Sequence, residues 1–320
     1  MKQKAKFLFL LGIVNCQLSI VSSQEHVVPF SFGDMDHWVV REIHESGIIG
    51  GNTKHLYELG PTDTIIGNTA YTNRGGSPWA NSNVMAKVAG VVKTNTSVFP
   101  ERRDDGWCAR LETRMESVKV FGLVDIEVVA AGSVFLGTVH EPIKGTKNPQ
   151  KMLQTGIPFT KKPVALQFDY KVKMSDRENR IRATGFSKIT DVPGKDYPAA
   201  ILLLQKRWED ANGNVYAKRI GTMVTYYYHS TDWKNNATYE IMYGDITSRP
   251  EYKPHMMRLQ VTENYTVNSK GESVPIHEVA WGDENDEPTH LYLQFTSSHG
   301  GAYVGSPGNS LWIDNVKLVY

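Results

Sequence analysis

The most regular feature of the chain is alternation. From Val164 to Met174 the apolar side chains Val164, Leu166, Phe168, Tyr170, Val172 and Met174 take every second position. Ala165, Gln167, Asp169, Lys171 and Lys173 fill the gaps. A period of two marks a half-buried antiparallel strand, with one face on a core and the other in water. Leu291, Leu293 and Phe295 repeat it against Tyr292, Gln294 and Thr296. The segments Ala199–Trp208 and Val215–Tyr228 flank Asn212-Gly213, a pair suited to the positive-φ positions of a type I′ hairpin.

After residue 24 no segment holds a helical apolar period beyond about two turns. Turn formers cluster between the strands instead, at Asn73–Pro78, Asp191–Asp196 and Ser297–Pro307. Many strands without βα alternation predict an all-β fold, an antiparallel β-sandwich of the jelly-roll type with long loops. The stretch from Pro142 to Pro163 is the one loop-rich seam. There is no low-complexity linker and no internal repeat, so one domain over 24–320 is expected.

The first residues read as an address. Lys2, Lys4 and Lys6 precede the apolar run Phe7–Val14, far short of the ~20 residues that span a membrane. Val21 and Ser23 stand at −3 and −1 before Gln24, which predicts a signal peptide over 1–23 and an exported chain, in the periplasm, on the outer-membrane surface or outside the cell. A rival reading anchors the protein to the membrane by a lipid on Cys16, but Asn15 stands where lipoprotein signals have Gly or Ala. Without the leader, Cys108 is the one cysteine left. No intramolecular disulfide can then form, and the chain must rely on its core. The formal charge of +1 offers no basic field for nucleic acid.

The closing strand carries a clue. In Leu311–Tyr320, Trp312, Val316, Leu318 and Tyr320 share one parity and are expected to face inward, and Asp314 has that same parity. A carboxylate among apolar neighbours needs a partner. It either caps a turn or meets an arginine, or it binds a hard cation such as calcium, with Asp34 or Asp36 reaching it from the first strand's loop.

Catalytic motifs are absent. There is no GxGxxG, GxxxxGKS/T, HExxH or GxSxG, and the ten histidines lack ligand spacing. Cys108 reads as a small core residue. Two facing carboxyls for glycoside hydrolysis would come from strands distant in sequence, with Glu112 and Glu240 as weak candidates. Seven Trp and fifteen Tyr are more informative, because sugar rings stack their C–H faces on aromatic planes. Tyr226, Tyr228 and Trp233, beside Asp232, Asn235 and Asn236, form the best predicted ligand site. Trp79 and Trp281 are further candidates, and Trp107 also sits in a turn-rich context.

Ser310–Tyr320 (SLWIDNVKLVY), preceded by Ser297, Ser298, Gly300 and Gly301, resembles the closing strands of the putative carbohydrate metabolism domain (PCMD) family. Gly33–Trp38 (GDMDHW), Pro78–Asn83 (PWANSN), Ala109–Thr113 (ARLET), Gly132–Gly137 (GSVFLG) and Pro163–Lys171 (PVALQFDYK) resemble it in the same order. The resemblance covers about 30 to 320. It implies a lectin-like or carbohydrate-binding-module-like sandwich, exported by Gram-negative gut-type bacteria. It implies no catalytic residues, and by analogy with carbohydrate-binding modules a structural calcium at Asp314. The expected function is an exported glycan-binding protein that takes a polysaccharide or oligosaccharide at the cell envelope. A glycoside hydrolase or lyase on the same fold, or an adhesive surface protein, are the alternatives.

Overall fold

The computed structural model describes residues 26–88, 90–120, 124–145, 148–185, 187–257 and 264–320. The leader read at 1–23, with Cys16, lies outside them. Two large sheets face each other. The smaller runs Thr231–Glu240, Ala165–Lys173, Ser310–Val319, Gly106–Glu112, Val98–Arg103, with Val27–Pro29 also paired to Ser310–Val319. The larger runs Leu153–Thr155, Ser133–Val139, His290–Thr296, Ala199–Glu209, Val215–Tyr226, Ser273–Trp281, Tyr265–Val267, with three short strands on its flanks. The chain passes repeatedly between the two sheets in jelly-roll fashion, and within them the pairings are antiparallel apart from Val215–Tyr226 against Ser273–Trp281.

The alternating runs face inward as expected. Leu166, Phe168 and Val172 meet Leu202, Leu204, Leu291, Leu293 and Phe295 in one core, and the Phe168 and Phe295 rings meet edge to face at 4.9 Å across it. The hairpin expected at Asn212-Gly213 forms, with a different turn. Of that pair only Gly213 has positive φ (90°). Asp210 Oδ1 accepts the N–H groups of Asn212 and Asn214, and Gly213 N–H donates to Asp210 O, a three-residue loop with a glycine bulge.

The parity read for the closing strand fails at its middle. Leu311 and Ile313 are buried in the core, and so are Val316 and Leu318. Between them Asn315 adopts φ 52°, and the register against Ala165–Lys173 slips by one residue between Gln167 and Asp169. This bulge reverses the pleat. Trp312 and Asp314 therefore point away from the core. The first described strand, Val27–Pro29, does pair with the last, at Lys317–Val319.

Smaller units decorate the sandwich. Trp38–His44 pairs with Thr53–Leu59 and Asp63–Ile66, and Val84–Val88 forms a hairpin with Val91–Asn95. Ile43, Leu56, Met85 and Val92 close a small core between them. Arg114–Val120, Val124–Ala130 and Thr184–Gly185 form another three-stranded piece.

Candidate functional site

The run Ala199–Leu204 (AAILLL) is apolar at every position, so the central strand of the larger sheet buries both faces. Ala200, Leu202 and Leu204 enter the main core. Ala199, Ile201 and Leu203 join Tyr292, Val224, Ile246 and Met256 on the outer face. Ile246, Tyr252 and Met256 cover part of that face. Over another part stand the Val84–Val88 hairpin and Val124–Ala130, and a cleft of about 790 Å³ remains beneath them.

Phe135, Ile201, Tyr292 and Gln294 line the cleft along the sheet, and Val84, Ala86 and Val128 line it opposite. The Tyr292 hydroxyl donates to Gln294 Oε1. Asn95, also in the lining, donates from Nδ2 to Ser82 O at 2.9 Å, while its buried Oδ1 has no donor among the described residues. Glu116 is the sole carboxylate among the described lining residues; burial raises its pKa, with Arg114 at 3.2 Å opposing.

At one end of the cleft, aromatic rings form a shelf. His299 lines the cleft and stacks with Tyr197 at 5.5 Å; Tyr226 lies 4.9 Å from the same imidazole. Tyr226 stacks with His255 at 4.2 Å, and Tyr228, 44% exposed, meets Tyr197 edge-on at 4.7 Å. The loop that carries His299 is clasped by the buried Asp196, whose carboxylate accepts from Ser298 Oγ and from the Ser306 N–H, both at 2.8 Å. Gly300 is required by packing, since a Cβ there would lie 2.3 Å from Val304 O.

The second cluster lies on the outer face of the smaller sheet. Arg103 Nη1 reaches Asp169 at 2.9 Å and Asp314 at 2.6 Å, and Nη2 donates to Asn235 Oδ1 at 2.8 Å. Its guanidinium lies 3.9 Å from the Trp233 ring centroid. Burial pushes the Asp314 carboxyl up to about 6, against the pull of Arg103. Asp169 is held below the usual range, where hydrogen bonds from Asn236 N–H, Asn315 and Arg103 outweigh its burial.

A family model for the putative carbohydrate metabolism domain matches residues 60–319. The chain belongs to that family. No curated protein matches it. A solved structure from Bacteroides thetaiotaomicron VPI-5482, described as a putative glycoside hydrolase, aligns with a TM-score of 0.44 and 19% identity, over 84% of this chain and 75% of that one. The shelf, the Arg103 cluster and all but Ile49 of the cleft lining fall inside the PCMD match.

This geometry divides the residues that the sequence grouped. Tyr226 and Tyr228 stand on the shelf, whereas Tyr227 between them turns inward against Tyr170. Trp233 is on the other sheet with Arg103, and Asp232 is exposed there, because the chain crosses between sheets before Thr231. Trp79 is no platform. It is 1% exposed, with its indole N–H donating to Ser31 O at 2.8 Å. Trp281 is half-buried with Arg219 5.1 Å over its ring. Asp314, expected to face inward, faces outward onto Arg103, the arginine alternative of the sequence reading. Asp34 sits in the turn before Trp38, where its Oδ1 accepts from Asp36 N–H at 3.4 Å. Among the described residues no group of three or more His, Cys, Asp or Glu is placed to hold a metal ion. Glu112 is paired with Arg110 at 2.7 Å and Glu240 is exposed. Cys108 is a core residue, 1% exposed. Tyr197, His255, His299 and Arg103 were not singled out by sequence. Tyr197 and His299 lie in turn clusters already recognised or beside them, which was the available signal.

Proposed function

We propose that this PCMD protein is an exported glycan-binding protein of the cell envelope, and that a sugar of its ligand lies on the shelf of Tyr197, Tyr226, Tyr228 and His299. The carrying observation is the shelf itself: several rings are gathered in contact at the end of a cleft, one of them 44% exposed. Pyranose rings stack their C–H faces on such planes. The family's description supports a carbohydrate ligand. The export reading rests on the leader at 1–23.

Binding is favoured over hydrolysis by the carboxylate count. Two-carboxylate hydrolysis needs a pair about 5–9 Å apart across the sugar. At the shelf, the Asp196 carboxylate 3.1 Å from His299 Nδ1 is buried and held by Ser298 Oγ and Ser306 N–H, and Glu116 is the sole acid among the described residues of the cleft lining.

A glycan array followed by titration calorimetry tests the proposal. At least one glycan class is expected to bind, and Tyr228→Ala to weaken it about tenfold, the loss of one stacking contact. An array without hits, or hits whose affinity Tyr228→Ala and Tyr226→Ala leave unchanged, would overturn it.

A further inference from the structure

The cleft next to the shelf is poorly suited to sugar hydroxyls. Val84, Val91, Ile126 and Val128 line one side of it, and Phe135 and Ile201 the other. None of these side chains can donate or accept a hydrogen bond. The backbone behind them is engaged in strand pairing, Val84–Val88 with Val91–Asn95 and Val124–Ala130 with Arg114–Val120. A pyranose buried among them would leave its hydroxyls unpaired, each bearing its full desolvation cost. Polar side chains also reach the lining, but several are already engaged within the protein, Tyr292 on Gln294, Glu116 on Arg114 and Asn95 Nδ2 on Ser82 O, while the Asn95 Oδ1 acceptor could serve one donor. A cleft of about 790 Å³ nevertheless falls in the range that buries most of a small ligand.

We propose that this cleft takes an unbranched alkyl or acyl chain, carried by the ligand whose sugar rests on the shelf. The identity of the head rests on the glycan reading above, while the chain follows from the cleft walls. Head and tail sites are contiguous through His299, which lines the cleft and touches both Tyr197 and Tyr226. The ligand class is an amphipathic glycoside: an apolar tail threads between the hairpin and the sheet, and the polar head emerges at the rings.

Each methylene moved from water into such a cleft tightens binding about fourfold. The test is calorimetric titration of the full chain with hexyl, octyl and decyl glucosides below their micellar concentrations, with glucose and the matching alkyl sulfonates alongside. The dissociation constant is expected to fall roughly 15-fold for each added pair of methylenes until the cleft is full. Ala86→Trp, which places an indole in the cleft, is expected to flatten that series. Equal affinity across chain lengths in the wild-type protein would overturn the proposal, and so would a series undiminished in a folded Ala86→Trp. The wild-type series decides alone if that variant does not fold. Sulfonates that match the glucosides at each length would support the tail site and count against the sugar shelf. Glycans that bind without any dependence on chain length would do the reverse.

Discussion

Replacing Arg103 with methionine removes the one cation shared by two buried carboxylates. In the folded chain 10% of the Arg103 side chain reaches water, against 7% for Asp169 and 9% for Asp314. Methionine retains part of the stem and leaves both acids without the guanidinium they share. Breaking a buried pair in this way costs about 3–5 kcal/mol. Each carboxylate keeps other donors: Asp169 has Asn236 N–H at 2.6 Å and Asn315 Nδ2 at 3.0 Å, and Asp314 has Asn315 N–H at 2.7 Å. The lower end, about 3 kcal/mol, is therefore expected, which at about 2.1 cal/mol/K per residue over roughly 300 residues lowers the melting temperature by roughly 5 °C. Asp314→Asn is the contrast, because it leaves Arg103 paired with Asp169 and removes a like charge; its expected cost is below about 1 kcal/mol. The pH dependence has a definite sign. The folded Asp314 value of about 6 lies above that of an unfolded aspartate, so the folded state holds the proton more tightly. This group favours folding at acid pH and withdraws that stability as pH rises from about 4 to 6. Without Arg103 the folded value rises further, so the deficit of Arg103→Met should shrink at pH 5 relative to pH 8. Calorimetric melts at both pH values measure it. If Arg103→Met melts within about 2 °C of wild type at pH 8, or Asp314→Asn costs as much, the cluster behaves as an ordinary surface pair and the reasoning fails.

Three further outcomes follow from buried charge. Arg41 serves both Glu58 at 2.9 Å and Glu141 at 2.5 Å. Burial pushes Glu58 up to about 8 despite Arg41, so its contribution to stability is present at acid pH and is lost as pH rises towards 8. Glu58→Gln should flatten the decline of urea midpoints between pH 5 and pH 8, and an unchanged slope would refute this. Burial, with Glu101 and Asp314 nearby, pushes the Cys108 thiol up to about 12. Its peptide should therefore stay unmodified by a thiol reagent at pH 8 until urea is added; rapid native labelling would contradict the placement. Because Arg103 already supplies the positive charge at Asp314, EDTA is expected to leave the melting temperature unchanged. A drop that Asp314→Asn abolishes would instead place calcium there.

The parts of this fold that sequence made legible are those in which the pleat runs uninterrupted. Leu166, Phe168 and Val172, and Leu291, Leu293 and Phe295, keep a strict period of two and all reach the core. Counting parity assumes that every residue advances the pleat by one step. Asn315 breaks that assumption with a left-handed backbone, and Asp314 lands on the opposite face from the one counted. Tyr226 and Trp233 fail for another reason. They are seven positions apart, and in a sandwich whose strands cross between layers that distance is enough to reach the other sheet. The cleft was illegible because the hairpin at 84–95, the strand at 124–130 and the sheet residues at 292–296 are remote in sequence. Its one local trace is the unbroken apolar run at Ala199–Leu204, which requires cover on both faces of its strand.

That run shows where function should be sought on the molecule. The outer face of the smaller sheet is closed by the chain's own chemistry, since Arg103, Asp169, Asp314 and Asn315 satisfy one another and Trp233 lies against the guanidinium. Around the central strand the outer face of the larger sheet is apolar, and Ile201 and Leu203 are both buried on it. Around Leu203, the segment bearing Ile246, Tyr252 and Met256 packs down on the sheet. Beside Ile201 and Phe135 the hairpin stands away and leaves about 790 Å³. One part of this face is packed by side chains, and the other borders a cleft that a ligand could enter. The shelf of rings adjoins that cleft through His299, so the proposed ligand is to be sought on the larger sheet rather than on the self-satisfied charges opposite.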